Sequence, residues 1–138
     1  MTRRLAVVIA AVMVLVPVAP GWATHAVDHR YVVIGYVRDG AGQPLAGTLV
    51  RVMRERTGLP YETETGFDGL YVAIVHLHDE DLFDALDVTA GHVSIRIEAR
   101  FEPLDHRRPR GTRVDFTPTR AVERHEAFAQ TLDAYLKR

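Results

Sequence analysis

Between Val33 and Tyr71 the chain twice interrupts an extended apolar run with turns rich in glycine, proline and aspartate. That spacing suits short β-strands and is too broken for helices. Tyr31–Arg38 is β-branched and aromatic, with apolar residues on both faces, as in a strand buried on both sides. Gly35 inside it predicts a bulge or a close backbone approach. Asp39–Pro44 is a turn cluster in which Gly42 supplies positive φ and Pro44 fixes its own φ and removes a donor. Thr48–Glu55 reads as a second strand, Tyr61–Thr65 as a half-exposed edge strand, and Leu70–His78 as the most apolar strand. The Asp68-Gly69 step between them is a preferred hairpin dipeptide.

The remaining segments extend this pattern. Val93, Ile95, Ile97, Ala99 and Phe101 alternate with Ser94, Arg96, Glu98 and Arg100, giving a strand with one face in the core and one in water. The segment Asp79–His92 is acidic and then turn-like, and Glu102–Arg113 is a basic loop. Thr112–Thr117 is a further short strand. From Pro118 the period changes: Ala121, His125, Phe128, Leu132 and Tyr135 recur at helical spacing, with Thr119 as N-cap and Glu123 in the first turn. This predicts a helix over Arg120–Leu136, with a last strand over Glu126–Leu132 as the competing reading. The whole predicts a mainly β fold. A seven-stranded antiparallel Greek-key sandwich spans 31–118, and a C-terminal amphipathic helix over 119–138 packs on it.

The N-terminus predicts export. Arg3 and Arg4 precede the apolar run Leu5–Val16; Pro17 and Pro20 break it, and Gly21-Trp22-Ala23 suits a cleavage site. Residues 1–23 read as a signal peptide and 24–30 as a polar lead-in, so the expected setting is periplasmic or secreted. An uncleaved anchor is the alternative, and the only membrane contact expected. The 138 residues hold no cysteine, so the core must stabilise the fold without disulfides. With 17 basic against 18 acidic residues there is no basic excess, and nucleic acid is not an expected partner.

The residues Gly35, Asp39, Gly42, Pro44-Leu45-Ala46-Gly47, Thr65, Asp68, Gly69 and Tyr71, in that order, resemble the carboxypeptidase regulatory-like domain of the transthyretin-like sandwich group. The likeness is specific over Val33–Tyr71 and loose to Phe101. It implies hairpins closed at Gly42–Pro44 and at Gly69, Leu45 plugging the end of the core, and Tyr71 pointing inward. It also implies a non-enzymatic module whose partner is a separate envelope or secreted protein, or a glycan. Two enzymatic groups share the sandwich. Hydroxyisourate hydrolases end in a Tyr-Arg-Gly-Ser signature, whereas this chain ends Tyr135-Leu136-Lys137-Arg138. Intradiol dioxygenases hold iron with two tyrosines and two histidines; Tyr61, Tyr71, His76 and His78 are the matching residue types, without the family's spacing.

Three clusters can carry chemistry. His76 and His78, two apart on a strand, leave the same face and can share a copper or zinc ion, with Asp79 or Glu80 adding oxygen. Solvated histidines at a strand end are the competing reading, favoured if Tyr71, Ala73, Val75 and Leu77 face the core. His25, near the start of the mature chain, is a further donor, with His29 assisting. Asp79, Glu80, Asp81, Asp84 and Asp87 lack the order of a calcium loop and read as an acidic solvated loop or a short helical turn around Leu82-Phe83. His106, Arg107, Arg108 and Arg110 form a basic cluster suited to an anionic partner, or to pairing with that acidic segment. The expectation is therefore a non-catalytic binding or structural module of the cell envelope with no cofactor. A copper- or zinc-binding protein is the alternative, and a dioxygenase-like enzyme a remote one.

Overall fold

The computed structural model describes residues 29–138. The expected signal peptide and His25 lie outside them. The fold is mainly β. Among the described residues, eight strands form two four-stranded sheets: β1 Arg30–Tyr36, β2 Leu49–Arg54, β3 Leu59–Glu64, β4 Leu70–His76, β5 Ala85–Ala90, β6 Val93–Glu98, β7 Arg110–Phe116 and β8 Ala121–Glu123. One sheet has the order β4-β1-β7-β8 and the other β3-β2-β5-β6. Among the described residues no helix is long and apolar enough to cross a membrane.

The core lies between the sheets. Tyr31, Val33, Tyr71, Ala73, Val75, Val114 and Phe116 come from the first sheet and meet Val50, Val52, Leu86, Val88 and Ile97 from the second. The strands of the second sheet alternate, because their other face meets water. β1 carries apolar residues on both faces for a different reason. The helix α1, Phe128–Leu136, lays Phe128 and Leu132 over Ile34 and Leu70 on the outer face of the first sheet. Phe128 rests on Gly111, where an added Cβ would lie 2.5 Å from its ring.

Several details depart from the sequence pattern. Pairing is antiparallel except between β1 and β7, which run parallel with Tyr31 opposite Arg110. Both turns expected to close hairpins instead carry the chain from one sheet to the other: 39–44 joins β1 to β2, and 66–69 joins β3 to β4. Turn chemistry bends the backbone without choosing the partner strand. Leu45, expected to plug the core, is 38% exposed. The stretch after Asp84, expected as a turn-like loop, contains β5, an inner strand whose Leu86, Val88 and Ala90 point inward between outward Asp87 and Thr89.

The C-terminal helix is also shorter than 119–138. Residues 121–123 pair with β7 instead, Phe116 opposite Ala121 and Val114 opposite Glu123. An open strand edge offers Val122 the backbone partners that a first helical turn lacks. A short 3-10 turn at His125–Ala127 then leads into α1.

Gly35 and Gly69 are fixed by space. A Cβ at Gly35 would sit 1.8 Å from the Val114 carbonyl oxygen. That oxygen accepts the Tyr71 hydroxyl at 2.7 Å, and Tyr71 is Gly35's partner on β4. Gly69 has φ +76°, and a Cβ there would meet the Val37 carbonyl oxygen at 2.6 Å and the Pro44 side chain at 3.0 Å. Gly42, at φ +80°, turns the 39–43 loop, where Asp39 Oδ1 accepts the amides of Ala41 and Gln43.

Candidate metal centre

The antiparallel register of β1 and β4 places Arg30 opposite His76, and the Leu77 amide donates to the His29 carbonyl at 2.9 Å. His29 therefore lies against the end of β4. Leu77 turns into the core and is 1% exposed, while His76 and His78, on either side of it, leave the opposite face. The His29 ring centre is 4.4 Å from that of His78 and 5.5 Å from that of His76. His76 and His78 are 4.7 Å apart by ring centres, and their Nε2 atoms are 3.2 Å apart. His106 adds a fourth imidazole, 6.4 Å from His29.

The Nε2 separation fits two chemistries. Between neutral rings it is one hydrogen bond, one nitrogen donating and the other accepting. It also matches the edge of a tetrahedron, since two bonds of about 2.0 Å place their nitrogens about 3.3 Å apart. His29 Nδ1 is buried and has no hydrogen-bond partner. Among the described residues, no three histidine, aspartate or glutamate side chains already converge closely enough to hold an ion together.

Asp79, expected as an oxygen ligand, is committed elsewhere. Its Oδ1 accepts from Arg110 at 2.8 Å and its Oδ2 lies 3.2 Å from His106 Nε2. The Arg110 hydrogen bond holds the Asp79 carboxyl below the ordinary carboxylate range, helped by the charge of His106. Arg110, expected to meet an anionic partner, is 7% exposed. Its Nη2 also donates to the Pro103 carbonyl at 2.8 Å, and its guanidinium stacks on Phe101 at 4.4 Å. A buried cation collects acceptors, and Arg110 thereby props the 102–106 loop. Arg107 and Arg108 stay exposed, Arg108 near Asp105 at 3.5 Å.

The acidic segment is not simply solvated either. Asp79–Asp81 forms a 3-10 turn, and Asp81 is 2% exposed. It accepts the His78 amide at 2.8 Å and pairs with Arg54 at 2.5 Å and with Arg56. Asp84 pairs with Arg54 at 2.6 Å. These carboxylates neutralise arginines of the β2–β3 hairpin and are not free for calcium.

Tyr61, Tyr71, His76 and His78 are not brought together. Tyr71 is buried with its hydroxyl on Val114, Tyr61 packs half-buried on β3 against the same core, and His76 leaves the other face of β4. The His29 contribution had one sequence signal, its place just before β1. The register that brings it to His76 and His78 is not written in its neighbours.

No family model matches the chain, and no curated protein matches it. Among solved structures it is similar to the dioxygenase domain of a dioxygenase–carbohydrate-binding protein fusion from the cellulolytic bacterium Streptomyces sp. SirexAA-E. The identity is 18% and the TM-score 0.44, over 68% of this chain and 82% of that one. That neighbour is a dioxygenase domain, and a likeness at this level assigns no activity to this chain; the expectation that the chain is not an enzyme is not carried forward.

Proposed function

We propose that this chain is an exported metal-binding β-sandwich that takes up one copper or zinc ion at His76 and His78, with His29 as the third donor. The observation that carries the reading is the 3.2 Å approach of the two Nε2 atoms beside a histidine whose Nδ1 lacks a partner. Imidazole nitrogen suits both metals, and three protein donors leave a position open for water or a further ligand. In this reading the His29 ring turns its unpartnered Nδ1 toward the two Nε2 atoms to complete the donor set. Asp79 acts behind it by holding His106 and Arg110. His25, in the lead-in, is a further donor in the same reading. The periplasmic or secreted setting and the kinship with carboxypeptidase regulatory-like sandwiches, both argued from sequence, belong to the same proposal.

Calorimetric titration of the metal-stripped protein with Zn²⁺ and Cu²⁺ tests it. The expected result is one equivalent bound by the parent and none by the His76→Ala/His78→Ala variant, with His29→Ala weakened. Equal binding by the double variant removes the proposal. His76 is exposed at the end of β4 and His78 caps the turn that follows, and circular dichroism verifies that the variant keeps the fold.

A further inference from the structure

A groove of about 350 Å³ runs between α1, the outer face of β4 and the 106–110 loop. Its floor is apolar, built from Val72, Ile74, Leu132 and Leu136. Ile74 is 50% exposed and Leu136 68% exposed, so the floor is open to a ligand. Its rim has one sign of charge. Arg30, Arg107, Arg108 and Arg110 line it together with His106, and no lining residue is acidic. Arg110 Nε and Nη1 are buried without an acceptor, although Nη2 is paired with Asp79. Among the described residues, the Arg107 side chain enters no ion pair, and its amide is what holds to Asp105, at 2.9 Å.

From this pairing of surfaces we infer that the groove binds a small amphipathic carboxylate, its apolar tail on Ile74 and Leu132 and its anionic head at Arg107 and Arg108. The volume lies at the lower end of small-molecule sites, and such sites combine apolar walls with a few oriented polar groups. A cationic rim around a low-dielectric floor concentrates anions and does not attract neutral apolar molecules as strongly. A head alone is screened at a surface, and a tail alone gains nothing from the arginines; the groove rewards a molecule that carries both. The site does not require the metal. It does adjoin the histidines, because His106 lines the groove and Ile74 and His76 share the outer face of β4.

The test uses metal-free full-length protein in EDTA, so that its outcome is separable from that of the metal site. Octanoate and 3-phenylpropionate are titrated against ¹⁵N-labelled protein, with acetate and octanol as the head-only and tail-only probes. Both amphipathic acids are expected to shift the amides of residues 72–74, 107–110 and 132–136, octanol far less, and acetate not at all. Arg107→Glu/Arg108→Glu should weaken octanoate binding about tenfold, as two exposed charges reverse sign. Ile74→Asp should abolish it. Two outcomes overturn the inference: octanol binding as tightly as octanoate, or octanoate binding unchanged in both variants. Sedimentation gives a third. A dimer that Ile74→Asp dissociates would show that a second copy of the chain fills the groove.

Discussion

At position 35 there is no room for a methyl group. The Val114 carbonyl oxygen occupies the place a Cβ would take, and it is held there by the Tyr71 hydroxyl. Gly35→Ala must force β1 and β7 apart, with a loss of about 3 kcal/mol expected from the urea unfolding midpoint. An unchanged midpoint would mean that the strands can separate freely. Asp81 stabilises the fold at neutral pH and loses that effect in acid. Burial raises its pKa, but the His78 amide and the Arg54 and Arg56 charges outweigh burial and leave it below the ordinary value. A carboxyl lowered in the folded state stabilises it above the unfolded pKa of about 4 and loses that contribution as pH falls through the folded value. Between about pH 5 and pH 2 the unfolding free energy should therefore fall less steeply for Asp81→Asn than for the parent, the variant being weaker at neutral pH. Parallel curves would show that Asp81 is not a source of the acid sensitivity. The sequence offered a bulge or a close approach at Gly35 and did not name the partner, since Val114 is brought there by a strand far along the chain.

The elements divide by whether their signal is local. β6 is legible because Ser94, Arg96 and Glu98 face water while Ile97 faces the core. β5 is hidden because Asp87 and Thr89 sit on its outer face and an acidic run precedes it, which imitates a loop. The helical period after Pro118 is real, but its first turn competes with an open β7 edge and loses residues 121–123 to it. What remains of the helix is anchored by few groups. Phe128 and Leu132 are its buried apolar contacts, and Thr131 Oγ1 accepts from Arg113 Nη1 on β7 at 3.1 Å. Phe128→Ala should cost about 3 kcal/mol and raise amide exchange in β7, where Gly111 loses its cover. Tyr135→Ala, at 39% exposure, should change the midpoint by no more than about 0.5 kcal/mol. Equal effects from both would mean that α1 is not docked through Phe128.

At the scale of the molecule, the mainly β sandwich was legible, and the assembled site only in part. His76 and His78 share a face by strand periodicity alone, which the sequence states outright. His29 and His106 join them through strand register and through a loop propped by Arg110, and neither is a property of nearby residues. The same long-range wiring governs how the chain must fold. β1 is the first strand among the described residues, yet its neighbours are β4, with Arg30 opposite His76, and β7, with Tyr31 opposite Arg110. It cannot be completed until nearly the whole chain is present. High contact order of this kind slows folding to milliseconds or longer, and until β7 arrives β1 carries an unpaired apolar edge. The parallel β1–β7 seam, which admits no side chain at Gly35, is thus expected to close late in folding.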